Sequence, residues 1–206
     1  MLVMSWAKLF AGDLQGTATL LDELEHSFNF AQRGIITRWT LQTLIVYHSL
    51  HGDQRTAELA AEKIKQSTGH RKSNAVRAAL VALTHRRSGN HEGSYKYAKY
   101  AVQRFATRNQ VSFVGHFLFF CVIDAIYHVI VRRDTHHASA AAPSTPTLRG
   151  SGGVEEMKKY LTMGTQAFCK MSRAFPAANT LSRIADARLL YVAGQRSEAA
   201  SELEKC

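Results

Sequence analysis

The sequence predicts an all-α chain built from antiparallel helix pairs, and three observations carry that expectation. The turn phrase GDLQGTATLLDE at residue 12 returns as GDQRTAELAAEK at 52, GNHEGSYKYAKY at 89 and GQRSEAASELEK at 194. Apolar residues recur at every third or fourth position around these turns, the spacing of one helix face. Only three prolines occur in 206 residues, and the segments between turns are rich in Ala, Leu, Lys, Arg and Glu, which lose little rotamer freedom in a helix. With 46% apolar residues, a chain of this length can bury a sizeable core.

Taken in order, the elements follow from one device. The opening stretch MLVMSWAKLF is an apolar helix that Gly12-Asp13 closes; it has no basic n-region and no long apolar run, so no signal peptide is expected. At Gly12-Asp13, Gly52-Asp53, Gly89-Asn90 and Gly194-Gln195, glycine can take the left-handed conformation that ends a helix, and an adjacent Asp or Asn can cap the amides of the next. Ala57 and Ala199, just beyond two of these turns, let paired helices approach closely. Before Gly89, Leu80, Ala82 and Leu83 are expected to face neighbouring helices and His85 to face out. In SYKYAKYAVQRFATR, Tyr97, Ala101 and Phe105 form the expected inner stripe, while Lys96, Tyr100, Arg104 and Arg108 recur on another face.

The first two turn intervals are 40 and 37 residues and the last is 105, long enough for two repeats and an insertion. Arg133-Asp134 fills the place of the missing turn. The insertion is DTHHASAAAPSTPTLRGSGG, residues 134–153, where periodicity stops and Ala, Ser, Thr, Pro and Gly take over; it reads as a flexible loop, with Ser144 and Thr145-Pro146 as a kinase target. Removing its 20 residues leaves 41 of the 61 between Arg133 and Gly194, which restores the period. Repeats of this length are stacked helix pairs that complete each other's core. Residues 1–206 are thus expected to form a single helical-repeat domain of about five pairs, with the loop inside the fourth. Neither end carries the polar cap of a terminal repeat, so a piece of a longer protein is expected.

These residues resemble the tetratricopeptide-like repeats. Ala187, Gly194 and Ala199, with Pro176 before them, look like that pattern, as do Gly52-Asp53-Ala57 and Ala82-Gly89-Asn90; the family's early Trp and most of its Pro positions are absent. The resemblance implies a right-handed superhelical array, a TPR-like α-solenoid, and a protein-interaction role. The stretch FPAANTLSRIADARLLYVAGQRSEAASELEKC is also similar to repeats in the C-terminal part of large soluble adenylate cyclases and related multidomain signalling ATPases. That similarity implies a regulatory, cytoplasmic segment of a larger signalling enzyme whose chemistry lies elsewhere.

The most apolar run, VSFVGHFLFFCVIDAIYHVIV, has 21 residues and is long enough to span a bilayer. Asp124 near its middle would cost about 2.5 to 3.5 kcal/mol there, and the run falls where the repeat requires a helix, so a helix buried on most sides is expected, with no membrane span. His116, Asp124 and His128 share one face, but the eight-residue gap and the lack of further ligands argue against a metal site. An Asp124-His128 pair inside the stack is the expected reading. The histidines His48, His51, His85, His91, His136 and His137 are expected to be solvated.

No nucleophile elbow, phosphate loop or Cys-His signature occurs, and adjacent carboxylates such as Asp22-Glu23 and Glu155-Glu156 point to different helix faces. No catalytic, cofactor-binding or metal-binding residue is therefore assigned, and no cofactor is expected. Cys121, Cys169 and Cys206 are too few and too widely spaced for a disulfide framework, which suits a reducing compartment.

Charge supplies the candidate surface. The formal net charge is +10, and 11 Lys or Arg stand between Lys63 and Arg108 against the single acid Glu92, while the rest of the chain has 15 of each sign. Such an excess attracts polyanions or acidic protein segments. The residues assigned to it are Arg86, Arg87, Lys96, Lys99, Tyr100, Arg104 and Arg108. An acidic protein partner is the first expectation; nucleic acid, held by these cations with bases stacked on Tyr95 and Tyr100, is the second.

Overall fold

The computed structural model describes residues 2–27, 34–51, 53–66, 74–107, 113–138 and 153–206, and among them every regular element is helical. The α-helices are α1 (Leu2–Phe10), α2 (Leu14–Ser27), α3 (Gly34–His51), α4 (Gln54–Gln66), α5 (Asn74–Arg87), α6 (His91–Phe105), α7 (Phe113–Ala138), α8 (Val154–Ser172), α9 (Asn179–Val192) and α10 (Arg196–Glu204). A 3₁₀ turn, Pro176–Ala178, precedes α9. Two compact units emerge, residues 1–70 with α1 to α4 and residues 71–206 with α5 to α10.

The recurring turn works as its residues require. Gly12, Gly89 and Gly194 all have positive φ, at 78°, 76° and 86°. At each, the glycine N–H donates to the carbonyl three residues back and the next N–H to the carbonyl five back: Gly12 to Leu9 and Asp13 to Lys8, Gly89 to Arg86 and Asn90 to His85, Gly194 to Tyr191 and Gln195 to Leu190. The last carbonyls of the closing helix are satisfied by this left-handed cap. The opening helix is then capped by the following side chain: Asp13 Oδ1 accepts from Gly16 N at 2.8 Å, Asp53 Oδ1 from Thr56 N at 3.2 Å and Asn90 Oδ1 from Gly93 N at 2.9 Å. Gln195 makes no such bond. Gly52 lies outside the described residues.

In the first unit, α3 packs against α1, α2 and α4, and Trp6, Leu9, Leu21, Leu24, Leu41, Ile45, Val46, Ala57, Ala60, Ala61 and Ile64 are buried. Ala57 is fully hidden, the small residue that lets α4 sit close to its partner.

In the second unit, α7 is the hub, touching α5, α6, α8 and α9. Phe105 of α6, Phe119 of α7 and Phe168 of α8 are fully buried; Phe119 stacks on Phe105 at 4.8 Å between ring centres and meets Phe168 edge-on at 5.7 Å. Gly164 of α8 faces both α6 and α7: a Cβ there would meet Val102 and Ile123 at 3.3 Å. Along α5, Leu80, Ala82 and Leu83 are buried as the sequence predicts, and His85 is partly exposed, stacked on Tyr97 at 5.5 Å. Leu83→Ala is expected to lower stability by about 2 to 5 kcal/mol. His85→Ala, which gives up the Tyr97 stack and the contact of its Nδ1 with Asn90 Nδ2 at 3.3 Å on a half-buried ring, should cost roughly 1 kcal/mol; equal small losses in chemical denaturation would show that the assigned helix face is wrong.

Two expectations are corrected. The inner face of α6 is Ser94, Tyr95, Ala98, Ala101, Val102 and Phe105, so Ala101 and Phe105 lie inside as expected, Tyr95 is buried, and Tyr97 is only half-buried, stacked on His85. The small residues Ser94, Ala98 and Ala101 set this register by letting α5 approach, and Ser94 Oγ donates to the Ala82 carbonyl at 3.0 Å. Arg133-Asp134 is not a turn either, because α7 continues unbroken to Ala138. No Gly or Pro stands there to stop it, and Arg and Asp are ordinary helix residues. Residues 134–138 of the expected loop are therefore helical, Gly153 is the N-cap of α8, and 139–152, with Ser144 and Thr145-Pro146, lie outside the described residues.

The Val114–Asp134 stretch of α7 is long and apolar enough to cross a membrane, and 67% of its most apolar window is buried inside the structure. Leu118, Phe119, Val122, Ile123, Ala125, Ile126 and Ile130 are covered by neighbouring helices.

Candidate functional site: a basic helix face and a buried arginine-aspartate triad

The structure divides the seven predicted surface residues between different environments. On α6, Lys96 and Arg104 are exposed, and the Arg104 guanidinium lies over the Tyr100 ring, 5.2 Å from its centre. These side chains leave the α6 core face and keep their charge in water. Lys99 belongs to a seam with α8: its Nζ donates to Glu156 Oε1 at 2.5 Å and sits 5.1 Å from the centre of the Tyr160 ring. The bond to Glu156 holds the Lys99 ammonium above its ordinary range. One turn on, Gln103 Nε2 donates to Tyr160 Oη at 2.7 Å. Arg87 is exposed at the end of α5, and Arg108 lies outside the described residues.

Arg86, next to Arg87, points inward. Its Nη1 pairs with Asp124 Oδ2 on α7, and Arg188 Nη2 of α9 reaches Asp124 Oδ1 at 2.5 Å. The Asp124 side chain is only 7% exposed, against 23% for Arg86 and 21% for Arg188. One carboxylate thus ties three successive first-of-pair helices, α5, α7 and α9. A carboxylate buried in the most apolar helix needs such partners, since an unpaired buried charge is too costly to keep. Arg188 is also sandwiched by aromatic faces, 4.8 Å from the Phe120 ring centre and 5.4 Å from that of Tyr127, a favourable seat for a partly desolvated guanidinium. Burial pushes the Arg86 guanidinium down to about 10, with Arg87 and Arg188 adding repulsion, and burial likewise lowers Arg188.

Sequence reasoning paired Asp124 with His128, and the structure demotes that contact. His128 Nε2 is 3.7 Å from Asp124 Oδ1, but both carboxylate oxygens already carry an arginine. His128 is pushed down to about 4, first by burial and then by Arg86, Arg188, His91 and Arg87. The folded state therefore holds a neutral His128, whereas the unfolded chain takes up its proton near 6.5. Its contribution to stability is complete above that value and is lost as pH falls from about 6.5 towards about 4. Melting temperatures of the native chain and His128→Gln, compared from pH 7.5 to pH 5, should converge in acid; a constant gap would refute this. Solvent reaches nearly half of the side chain, 47% exposed, and keeps the effect small.

Of the histidines expected to be solvated, His51 is exposed, while His48, His85 and His91 are half-buried. His91 Nε2 contacts Arg132 Nη1 at 2.7 Å, His48 Nδ1 lies 3.5 Å from Asp53, and His116 is buried and stacked on Phe175 at 4.9 Å. Among the described residues no group of three His, Cys, Asp or Glu side chains is arranged to hold a metal ion. Burial pushes the Cys121 thiol up to about 12 and Cys169 up to about 11, which makes both poor nucleophiles at neutral pH; Cys206 is exposed.

Arg188 is the residue sequence reasoning missed. The available signal was indirect: an acid inside a long apolar run demands a cation from elsewhere in the chain. Compared with known proteins, the chain matches no family model, no curated protein and no solved structure.

Proposed function

We propose that the chain is a non-catalytic interaction scaffold, a right-handed TPR-like array of helix pairs serving as a regulatory segment of a larger cytosolic signalling protein, and that its exposed α6 face docks an acidic protein segment. The observation that carries this reading is the row formed by Lys96, Tyr100 and Arg104. It leaves cationic groups at the surface of a helix whose other face is committed to the core, and such groups add on-rate and register to an acidic partner. The C-terminal region of a nucleotide cyclase is one setting for such a segment; it concerns a parent enzyme, and none of the residues assigned here performs chemistry.

Nucleic acid is the second reading, favoured by the Arg104-Tyr100 stack, a geometry that suits phosphate and base contacts. Burial of Tyr95 removes one of the two rings this reading required. A polyglutamate peptide and labelled DNA and RNA separate the two. The peptide is expected to bind at physiological salt and to be lost in the Lys96→Gln, Arg104→Gln double variant. Binding of DNA or RNA instead, weakening with salt at a slope of about 0.9 per neutralised phosphate on duplex, would replace the protein-docking reading.

A further inference from the structure

We propose that the docking surface for an acidic protein segment is two helices wide, and that Lys159, Lys170 and Arg173 of α8 belong to it beside Lys96 and Arg104 of α6. The inference rests on the docking reading of α6 and extends it. Two hydrogen bonds fix how these helices lie. Lys99 Nζ donates to Glu156 Oε1 and Gln103 Nε2 to Tyr160 Oη, both across 57 residues of sequence. Lys99 and Gln103 are about one turn apart, as are Glu156 and Tyr160, so α6 and α8 run parallel in a constant register. By that register Lys159 stands level with Val102, between the heights of Tyr100 and Arg104.

The face that α8 turns outward follows from the one it buries. Met157, Leu161 and Phe168 are committed to the core, which leaves Lys159, Gln166, Lys170 and Arg173 exposed on the other side of the helix. From Lys159 to Arg173 this row rises about 21 Å, and from Lys96 to Arg104 the neighbouring row rises about 12 Å. The acids of the same surface are engaged: Glu156 pairs with Lys99 and Glu155 with Lys158. Glu92 lies in the first turn of α6, where the helix amides favour it. Counting charges along the sequence passed over α8, because Lys158 and Lys159 follow directly on Glu155 and Glu156; folding engages those acids and leaves Lys159 outward. An acidic chain laid along the two rows neutralises several cations at once, and the potential they sum to steers its approach.

The test is fluorescence anisotropy of a labelled polyglutamate peptide titrated with the full chain at physiological salt. The Lys159→Gln, Lys170→Gln double variant is expected to bind it more weakly by about fivefold or more. Both positions are exposed, and circular dichroism should report unchanged helicity. The control is the Arg183→Gln, Arg196→Gln double variant on α9 and α10, which removes the same charge from exposed positions and should change affinity by less than about twofold. Native affinity in the α8 variant, together with loss in Lys96→Gln, Arg104→Gln, would overturn the extension and leave the α6 reading standing. Equal losses in the α8 variant and the control would also overturn it, since net charge alone would then set affinity. A native chain that binds no polyglutamate, or that takes up labelled RNA through Lys159 and Lys170 instead, would remove the docking reading and this inference together.

Discussion

Asp124→Ala is expected to lower the free energy of unfolding by about 3 to 5 kcal/mol. The substitution removes little apolar contact, and the loss comes from what stays behind. Arg86 and Arg188, both largely buried, keep their charges with nothing opposite, and each has surrendered part of its hydration to reach that position. The diagnostic companion is the triple replacement Arg86→Met, Asp124→Leu, Arg188→Met. Apolar side chains of similar volume avoid the desolvation cost altogether, so most of the stability lost in the single variant should return. Urea denaturation followed by circular dichroism reads both. A loss below about 1 kcal/mol in Asp124→Ala would place the carboxylate in water rather than in a desolvated triad.

Phe119→Ala should cost about 3 to 5 kcal/mol through a different mechanism. Phe119 is fully buried at the junction of α6, α7 and α8, stacked on Phe105 and edge-on to Phe168. Truncation leaves a cavity that the two remaining rings cannot fill, because each is already held by its own helix. Phe119→Leu should recover much of the loss by restoring volume without the ring geometry. If Phe119→Ala unfolds at the same urea concentration as the native chain, the aromatic junction is not a packed core.

What the sequence disclosed was what local chemistry decides. Gly12, Gly89 and Gly194 need their neighbours only within one turn, and Asp13 and Asn90 cap amides three residues away, so the helix boundaries around them were readable without any tertiary knowledge. The inward set on α5, Leu80, Ala82 and Leu83, was legible for the same reason. On α6 the readable pattern was ambiguous, since Tyr95 and Tyr97 flank Lys96 and either can join a helical stripe with Ala101 or Ala98. The choice was made by Ser94 and its bond to the Ala82 carbonyl, a contact that exists only once α5 is in place. Counting charges put Arg86 on the basic surface, although its partner lies on a different helix. Arg188 sits in a stretch with balanced charge, and nothing near it points to α7.

The triad also bears on how the second unit loosens. The last pair hides few side chains fully: Ala185 and Ala187 on α9, and Ala199 on α10. Helices with so little apolar burial of their own belong to the low end of the local stability range, where amide hydrogens exchange through partial rather than complete unfolding. Arg188 changes the terms of that partial opening. For α9 to swing away, the guanidinium must leave both Asp124 and the rings of Phe120 and Tyr127, and Asp124 is then held by Arg86 alone. Opening of the last pair is therefore felt at α5 through α7: it costs the Arg188 contacts and leaves the Asp124 carboxylate with one guanidinium instead of two.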